Sequence, residues 1–382
     1  MGLKTVIATS RATGVGLGAL GFFWGGFAAL MPDWQARAGV SDGVLGLLLL
    51  LSAVGGMSGM AAGPRVQSGL GRVALPVLTL QLGLVGMVAW AIGSPLALGL
   101  VLLWLGWSMS GLDIASNVEI SHREAQIGLS LMNWNHALFS FCFAASAGLS
   151  GVARRAGAEP GWIMALVGAL VICAALATYE PPAQPREGSE PGAARAKTPW
   201  LVVIPAGAML FFAFVAENST ESWSALHIER NFHAAAGEGA FGPMMLGLTM
   251  GMGRLFGQIV AARLGERRLI VLSACIGAFG ALLTALAPIK LLAILGIALI
   301  GIGAAVVVPS TNSLLGRRVK PRARPLALSR AWLIGFTGFF IGPVAMGAIA
   351  EGVGLRWAFG VVAVIMAAIV PGLLRLLKAP QE

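Results

Sequence analysis

The chain is a series of long apolar runs separated by short polar gaps. At about 20 residues per bilayer crossing, these runs divide into twelve segments: 12–33, 43–64, 73–93, 95–118, 127–152, 161–180, 200–224, 241–263, 268–288, 290–314, 327–350 and 355–377. The pattern predicts an all-α integral membrane protein in which an even number of crossings puts both ends on one side. One longer hydrophilic stretch, "EPPAQPREGSEPGAARAKTP" from Glu180 to Pro199, is rich in Pro, Gly and charge and has no apolar period. It reads as a flexible linker. The expected organisation is a six-helix bundle over 1–180, a linker over 181–199 and a second six-helix bundle over 200–382.

Charge placement orients the spans. Cytoplasmic loops collect Lys and Arg; the side holding both ends receives 19 of the 26 basic residues, the other side six, and Arg254 falls inside span eight. Both termini are therefore expected in the cytoplasm, with the chain in the inner (plasma) membrane. Composition agrees, with 57% hydrophobic residues and 11% charged. The net charge of +10 forms no basic face with interleaved aromatics, so no nucleic-acid partner is expected. The expected partners are the lipid bilayer, a small-molecule substrate and protons, and the chain is expected to be a monomer. Cys142, Cys173 and Cys275 lie in apolar runs with no CxxC or Cys/His spacing, which argues against a disulfide framework and a metal site. The stretch 12–31 behind Lys4 and Arg11 is long enough to span and has no small-residue cleavage site. It reads as a retained first transmembrane helix.

Sliding the second half back by 194 positions lays Gly253, Gly257 and "LGE" from Leu264 over Gly59, Gly63 and "LGR" from Leu70. Small residues four apart let helices approach closely in lipid, and the basic turn that follows (Arg263, Gly265, Arg267, Arg268 in the second copy) anchors one side. The coincidence implies two related bundles.

With these features the chain resembles the major facilitator superfamily over nearly its whole length. "GMGRLFGQIVAARLGERR", residues 251–268, looks like that family's signature loop, with Arg254 among its residues; the first copy, "GMAAGPRVQSGLGR" from Gly59, lacks the acid that usually precedes the first arginine. A narrower likeness is to the fucose permease-like branch and its bacterial relatives. It rests on "FFWGGFAALMPDWQARAGVSDGVLGLLL" from Phe22, "GLDIASN" from Gly111, "NHALFS" from Asn135, "ENSTESWSA" from Glu217 and "GFFIGPVAMGAIAEGVGLRWAF" from Gly338. That resemblance implies a proton-coupling role for Asp113, with Asn117 beside it.

An ionised carboxylate at the bilayer centre costs at least about 2.5–3.5 kcal/mol on insertion scales, so Asp113 must be shielded, paired, protonated or used. One reading pairs it with Arg65, Arg72 or Arg123 near the cytoplasmic end; the other faces it into a central cavity as a proton carrier. Span five brings Asn133, Trp134, Asn135, His136 and Ser140, too many polar groups for all to face lipid cheaply. They serve either solute binding or structural hydrogen bonding. In span seven Glu217 and Glu221 share a helix face. Glu221 and Trp223 read as close to the surface, whereas Glu217, beside Asn218, is the deeper candidate for solute contact or a second protonation site. Arg254 is expected to snorkel or to pair with an acid, with anion binding as the minority reading. Ser310, Thr311 and Asn312 follow Pro309 and either satisfy the backbone that proline frees or line the inner cavity. Trp24, Trp134 and Trp332 are candidates for stacking on a solute ring.

Soluble-enzyme chemistry finds no support. No phosphate-cradling GxxxxGK[ST] is present, no loop is long enough for a catalytic domain, and no catalytic residue, cofactor or metal is expected. The sequence favours a secondary active transporter using alternating access, with proton symport of a small, sugar-like solute preferred. Proton-driven efflux of drugs or metabolites is the alternative, weakened because span five lacks the Gly-Pro motif of drug exporters. A non-transporting receptor or scaffold is the third reading.

Overall fold

In lipid an apolar run satisfies its backbone internally only as a helix or a closed barrel. The computed structural model describes residues 3–128, 131–180 and 198–380, which form helices with no strand among them. The helices are α1 Leu3–Thr9, α2 Arg11–Ala29, α3 Met31–Ala38, α4 Asp42–Leu70, α5 Ala74–Val88, α6 Pro95–Ile127, α7 Met132–Arg155 and α8 Pro160–Ala177. After the linker come α9 Trp200–Asn231, α10 Phe241–Leu264, α11 Glu266–Leu286, α12 Lys290–Arg318, α13 Arg324–Val353 and α14 Leu355–Lys378. Ten segments among the described residues are long and apolar enough to cross a membrane; one, the 50 residues Asp42–Ala91, contains both α4 and α5. The linker expected over 181–199 lies outside the described residues except for Thr198 and Pro199.

The elements depart from the hydropathy boundaries in two ways. The first span, expected over 12–33, breaks after Ala29, and α3 starts with Pro32 in its first turn and closes on Gly39. Proline has no N–H to continue the helix. The bend is filled by Trp34, whose Nε1 donates to the Phe27 carbonyl at 3.2 Å and whose ring stacks on Phe27 at 5.4 Å. Elsewhere helices overrun their apolar stretches: α6 continues to Ile127 rather than 118, and α9 to Asn231 rather than 224. In α6 the polar extension carries a Glu119–Arg123 pair one turn apart at 2.7 Å, a spacing that supports helix on its own.

The repeat at offset 194 is visible in the backbone. Gly71 (φ +53) ends α4 and Gly265 (φ +76) ends α10, both in a region that side chains with a Cβ rarely enter. A Cβ on Gly59 would lie 2.3 Å from the Trp107 carbonyl oxygen of α6, and one on Gly253 would lie 2.5 Å from Ala305 Cβ of α12. The small residues thus set α4 against α6 and α10 against α12.

Before the linker, α2 packs on α7, α4 on α6 and α5 on α8; after it, α9 packs on α13 and α14, and α11 on α12 and α14. The two sets meet along a seam where α7 lies against α10 and α4 against α13, with α2 reaching α9 and α10.

Candidate functional site

Polar side chains on five helices converge along this seam. On α6, Asn117 sits one turn after Asp113, and its Nδ2 donates to Asp113 Oδ1 at 3.0 Å. The Asn117 Oδ1 lies 3.1 Å from His136 Nε2 on α7. Because the Asn117 amide nitrogen faces the aspartate, its oxygen can only accept, so His136 carries a proton on Nε2. Ser140, one turn further along α7, donates to the His136 carbonyl at 3.1 Å.

Arg254 of α10 crosses the seam to this point. Its Nη1 donates to Ser140 Oγ at 2.6 Å and to the His136 carbonyl at 3.4 Å, while Nη2 meets Glu217 Oε1 of α9 at 3.0 Å. One turn along α9, Glu221 accepts from Trp24 Nε1 of α2 at 2.9 Å, a second crossing of the seam. Contacts therefore run from Asp113 through Asn117 to the His136 ring, and from the His136 carbonyl and Ser140 one turn on through Arg254 to Glu217. A charge in low dielectric persists when it is paired and hydrogen-bonded, and the Arg254 guanidinium meets that requirement with side chains from both sets of helices.

Several expected residues occupy this path and others do not. Asn135 is buried, with Nδ2 on the Leu131 carbonyl at the start of its own helix at 2.8 Å and Oδ1 accepting from Thr13 at 3.1 Å; its oxygen fastens α7 to α2 and both ends of its amide are used. Asn133 and Trp134 are half-buried and outside the path. Trp332 donates to Asn312 at 3.1 Å, linking α13 to α12. Thr311 is buried, and its hydroxyl has no partner among the described residues, as is the case for the side-chain oxygen of Asn218.

One expectation is corrected, and two pairs of alternatives are narrowed. Glu221 and Trp223 are not near the surface: they are 7% and 0% exposed. Because α9 ends at Asn231, Glu221 lies ten residues inside its helix, about 15 Å at 1.5 Å per residue. Arg254 does not snorkel; it pairs with Glu217 across from α7. Asp113 forms no ion pair with Arg65, Arg72 or Arg123 among the described residues. The guanidinium of Arg123 is held by Glu119 and Glu180 at 2.7 and 3.0 Å, and Arg65 donates to the Ala61 carbonyl. The α6 extension also places fourteen residues after Asp113 within the same helix, so the acid sits in mid-helix.

The sequence reading missed a second cluster altogether. At the end of the seam near α3, Arg230 of α9 meets Asp42 of α4 at 2.6 Å and also contacts Gln35 of α3. Gln35 in turn donates to Asp42 at 2.8 Å. Nearby, the Gly43 amide donates to Glu351 of α13 at 3.1 Å, and Arg155 of α7 pairs with Glu238 at 3.2 Å. Glu238 is also held by Lys290, whose ammonium pulls its carboxyl below the ordinary carboxylate range. Two of the glycines here bring backbone close to backbone across the seam: a Cβ on Gly46 would lie 2.7 Å from the Pro343 carbonyl oxygen, and one on Gly151 would lie 2.7 Å from that of Gly237. The polar contacts across the seam run from this end inward to Arg254. No sequence period signals them, because each joins residues about 85 to 310 positions apart.

Residues 206–382 match the family model described as Major Facilitator Superfamily. The chain is 29% identical over 349 residues to an uncharacterized MFS-type transporter of Yersinia pestis, an alignment covering 89% of this chain and 88% of that protein. In fold it is similar to a bacterial homolog of the human lysosomal transporter Spinster, in an inward-facing and occupied conformation, with a TM-score of 0.71 and 17% identity over 96% of each chain. It is also similar to a D-xylose–proton symporter, with a TM-score of 0.73 and 15% identity over 100% of this chain and 99% of that one. The relative and the structural neighbours so matched are named as transporters.

Proposed function

We infer that the chain is a secondary active transporter of the Major Facilitator Superfamily that moves a small polar solute by alternating access, coupled to protons in symport. In this reading twelve crossings form two six-helix bundles, over 1–180 and 200–382, joined by a cytoplasmic linker. Both termini face the cytoplasm of a bacterial inner membrane, and the protein works as a monomer. The α3 end, where Arg230 and Asp42 bridge the two helix sets, then faces outward. Kinship with the fucose permease-like branch is part of the proposal and rests on the motifs around Asp113, Asn135 and Glu217.

The observation that carries the reading is the polar path across the seam, from Asp113 through Asn117 and His136 to Arg254 and Glu217. Two helix sets that rock against each other must break the Arg254 contacts to α7 and remake them. A carboxyl that exchanges a partner for water or solute in that motion changes its proton affinity between states. Asp113 has an amide rather than a cation as its hydrogen-bond partner, which suits a group that cycles between charged and neutral. Glu217 is the second coupling carboxyl. The fold it shares with a D-xylose–proton symporter is compatible with proton coupling.

The test is flux into proteoliposomes under an imposed pH gradient. Asp113→Asn is expected to abolish concentrative uptake while the protein stays folded and counterflow exchange persists. Undiminished pH-driven accumulation by this variant would remove Asp113 from the coupling mechanism.

A further inference from the structure

We propose that the transported solute is a small organic monoanion, a carboxylate, which takes over the Arg254 guanidinium when a proton binds Glu217. This rests on the transporter reading above and adds the class of solute.

The charges that face one another around Arg254, inward of the Arg230 and Glu238 clusters, are few. Helix α9 contributes Glu217 and Glu221, α10 contributes Arg254, α7 contributes His136, and α6 contributes Asp113 through Asn117; α2 contributes the uncharged Trp24. Arg254 is thus the sole fixed cation in this group, and its side chain is 16% exposed. Its fork is split between two helix sets: Nη2 is on the Glu217 carboxylate, and Nη1 is on the Ser140 hydroxyl and a backbone carbonyl. Only the first of these partners is ionic, and it belongs to a group that can take up a proton.

Charge balance separates the solute classes. A cation would have to compete with Arg254 for Glu217, leaving a guanidinium unpaired where burial makes that costly. A neutral solute would leave the pair intact and would have no use for the arginine. A carboxylate presents the planar two-oxygen face that the guanidinium fork matches. If it arrives with one proton, Glu217 becomes neutral, Arg254 remains paired, and the net charge on the seam is unchanged. A dianion would bring an uncompensated charge to within one helical turn of Glu221. The geometry therefore points to one negative charge carried with one proton.

The solute would be hydrophilic, since the groups that Arg254 touches are the hydroxyl of Ser140, the His136 carbonyl and the Glu217 carboxylate.

The experiment uses the full chain in proteoliposomes, with an internal pH dye, against protein-free vesicles. The probes are D-gluconate, D-glycerate and quinate as hydrophilic carboxylates, D-glucose and myo-inositol as neutral solutes, and choline as a cation. Carboxylate-dependent proton entry is expected. Carboxylate affinity should fall by up to about tenfold per pH unit on the alkaline side, as one proton taken up per anion requires. Glu217→Gln should hold its low-pH affinity at pH 8 and bring in fewer protons per anion than the parent, because Asp113 remains as the other carrier. Arg254→Gln alone leaves Glu217 unpaired and threatens folding, so the paired variant Glu217→Gln/Arg254→Gln removes both charges; it should fold and bind no carboxylate. Proton entry driven by glucose, inositol or choline and by no carboxylate would overturn the anion assignment and leave the transporter standing. So would carboxylate affinity that is equal at pH 6 and pH 8. If no solute of any class moved protons, the coupled-transport reading would fall and take this inference with it.

Discussion

The Arg230 cluster should hold the α3 end of the seam shut, and its strength follows from its exposure. The Arg230 side chain is 43% exposed and that of Asp42 15%, at a separation of 2.6 Å. A pair this open to solvent contributes about 0.2–1 kcal/mol. The Gln35 contact to the same guanidinium adds a net hydrogen bond of about 0.5–1.5 kcal/mol. Removing Arg230 does not strand Asp42, which still accepts from Gln35 Nε2 at 2.8 Å, so no large unpaired-charge cost is added. Arg230→Ala should therefore favour opening by about 1–2 kcal/mol in total, roughly 5- to 30-fold in the open fraction at 1.4 kcal/mol per tenfold. The reporter is a single cysteine in a background lacking Cys142, Cys173 and Cys275. Leu226 suits it, being 0% exposed and lining a cavity of about 280 Å³ together with Gln35, Val40 and Arg230. With purified protein in detergent, Leu226→Cys should react with a hydrophilic maleimide roughly 5- to 30-fold faster once Arg230 is replaced. Asp42→Asn, which keeps the shape of the first turn of α4, should give a smaller gain and add little on top of Arg230→Ala. Labelling within twofold of the parent in Arg230→Ala would refute the claim that this cluster is a latch.

Two further outcomes concern helix packing and pH. Gly59→Ala forces a Cβ to within 2.3 Å of the Trp107 carbonyl oxygen, whereas a Cβ added at Gly352, also in a helix, would meet nothing within 4 Å. Thermal unfolding in detergent should therefore show a loss of about 1–3 kcal/mol for Gly59→Ala and no loss for Gly352→Ala, and equal melting of the two variants would contradict the close-approach argument. The Glu238 carboxyl is held below its ordinary range, first by the Lys290 hydrogen bond, so its contribution is complete above the ordinary carboxylate pKa and is lost as pH falls through the lowered folded value. The melting difference between the parent and Glu238→Gln should be constant from pH 7 to about pH 5 and shrink below about pH 4; a difference that grows with acid would reverse the sign assigned here.

The repeat, the helical class and most of the residues on the polar path were legible in the sequence, because each follows from a local period or from the cost of burying charge. Helix ends were not. A hydropathy window reports where lipid contact stops, while a helix continues as long as its backbone bonds and one-turn pairs sustain it, as Glu119 and Arg123 do beyond the apolar part of α6. That difference moved Asp113 into mid-helix and took Glu221 away from the surface. Pairing across the seam was illegible for another reason: Trp24 with Glu221, or Gln35 with Arg230, joins residues nearly 200 positions apart, and no local pattern encodes such a partner.

Arg254 illustrates how a repeat can conceal a site. At the offset of 194 its counterpart is Met60, between the same glycines that bring α4 against α6 and α10 against α12. Read as part of a loop motif, the arginine looks like another basic residue of the turn that ends with Arg267 and Arg268. Its geometry separates it from them: Arg267 and Arg268 are exposed, whereas Arg254 reaches Glu217 and Ser140 on two different helices. Glycine spacing is maintained in both copies because both helix pairs need the same close approach. A departure from the repeat at a position whose neighbours obey it is therefore a physical marker of the site, and by that criterion Arg254 takes precedence over the more numerous polar residues of α7.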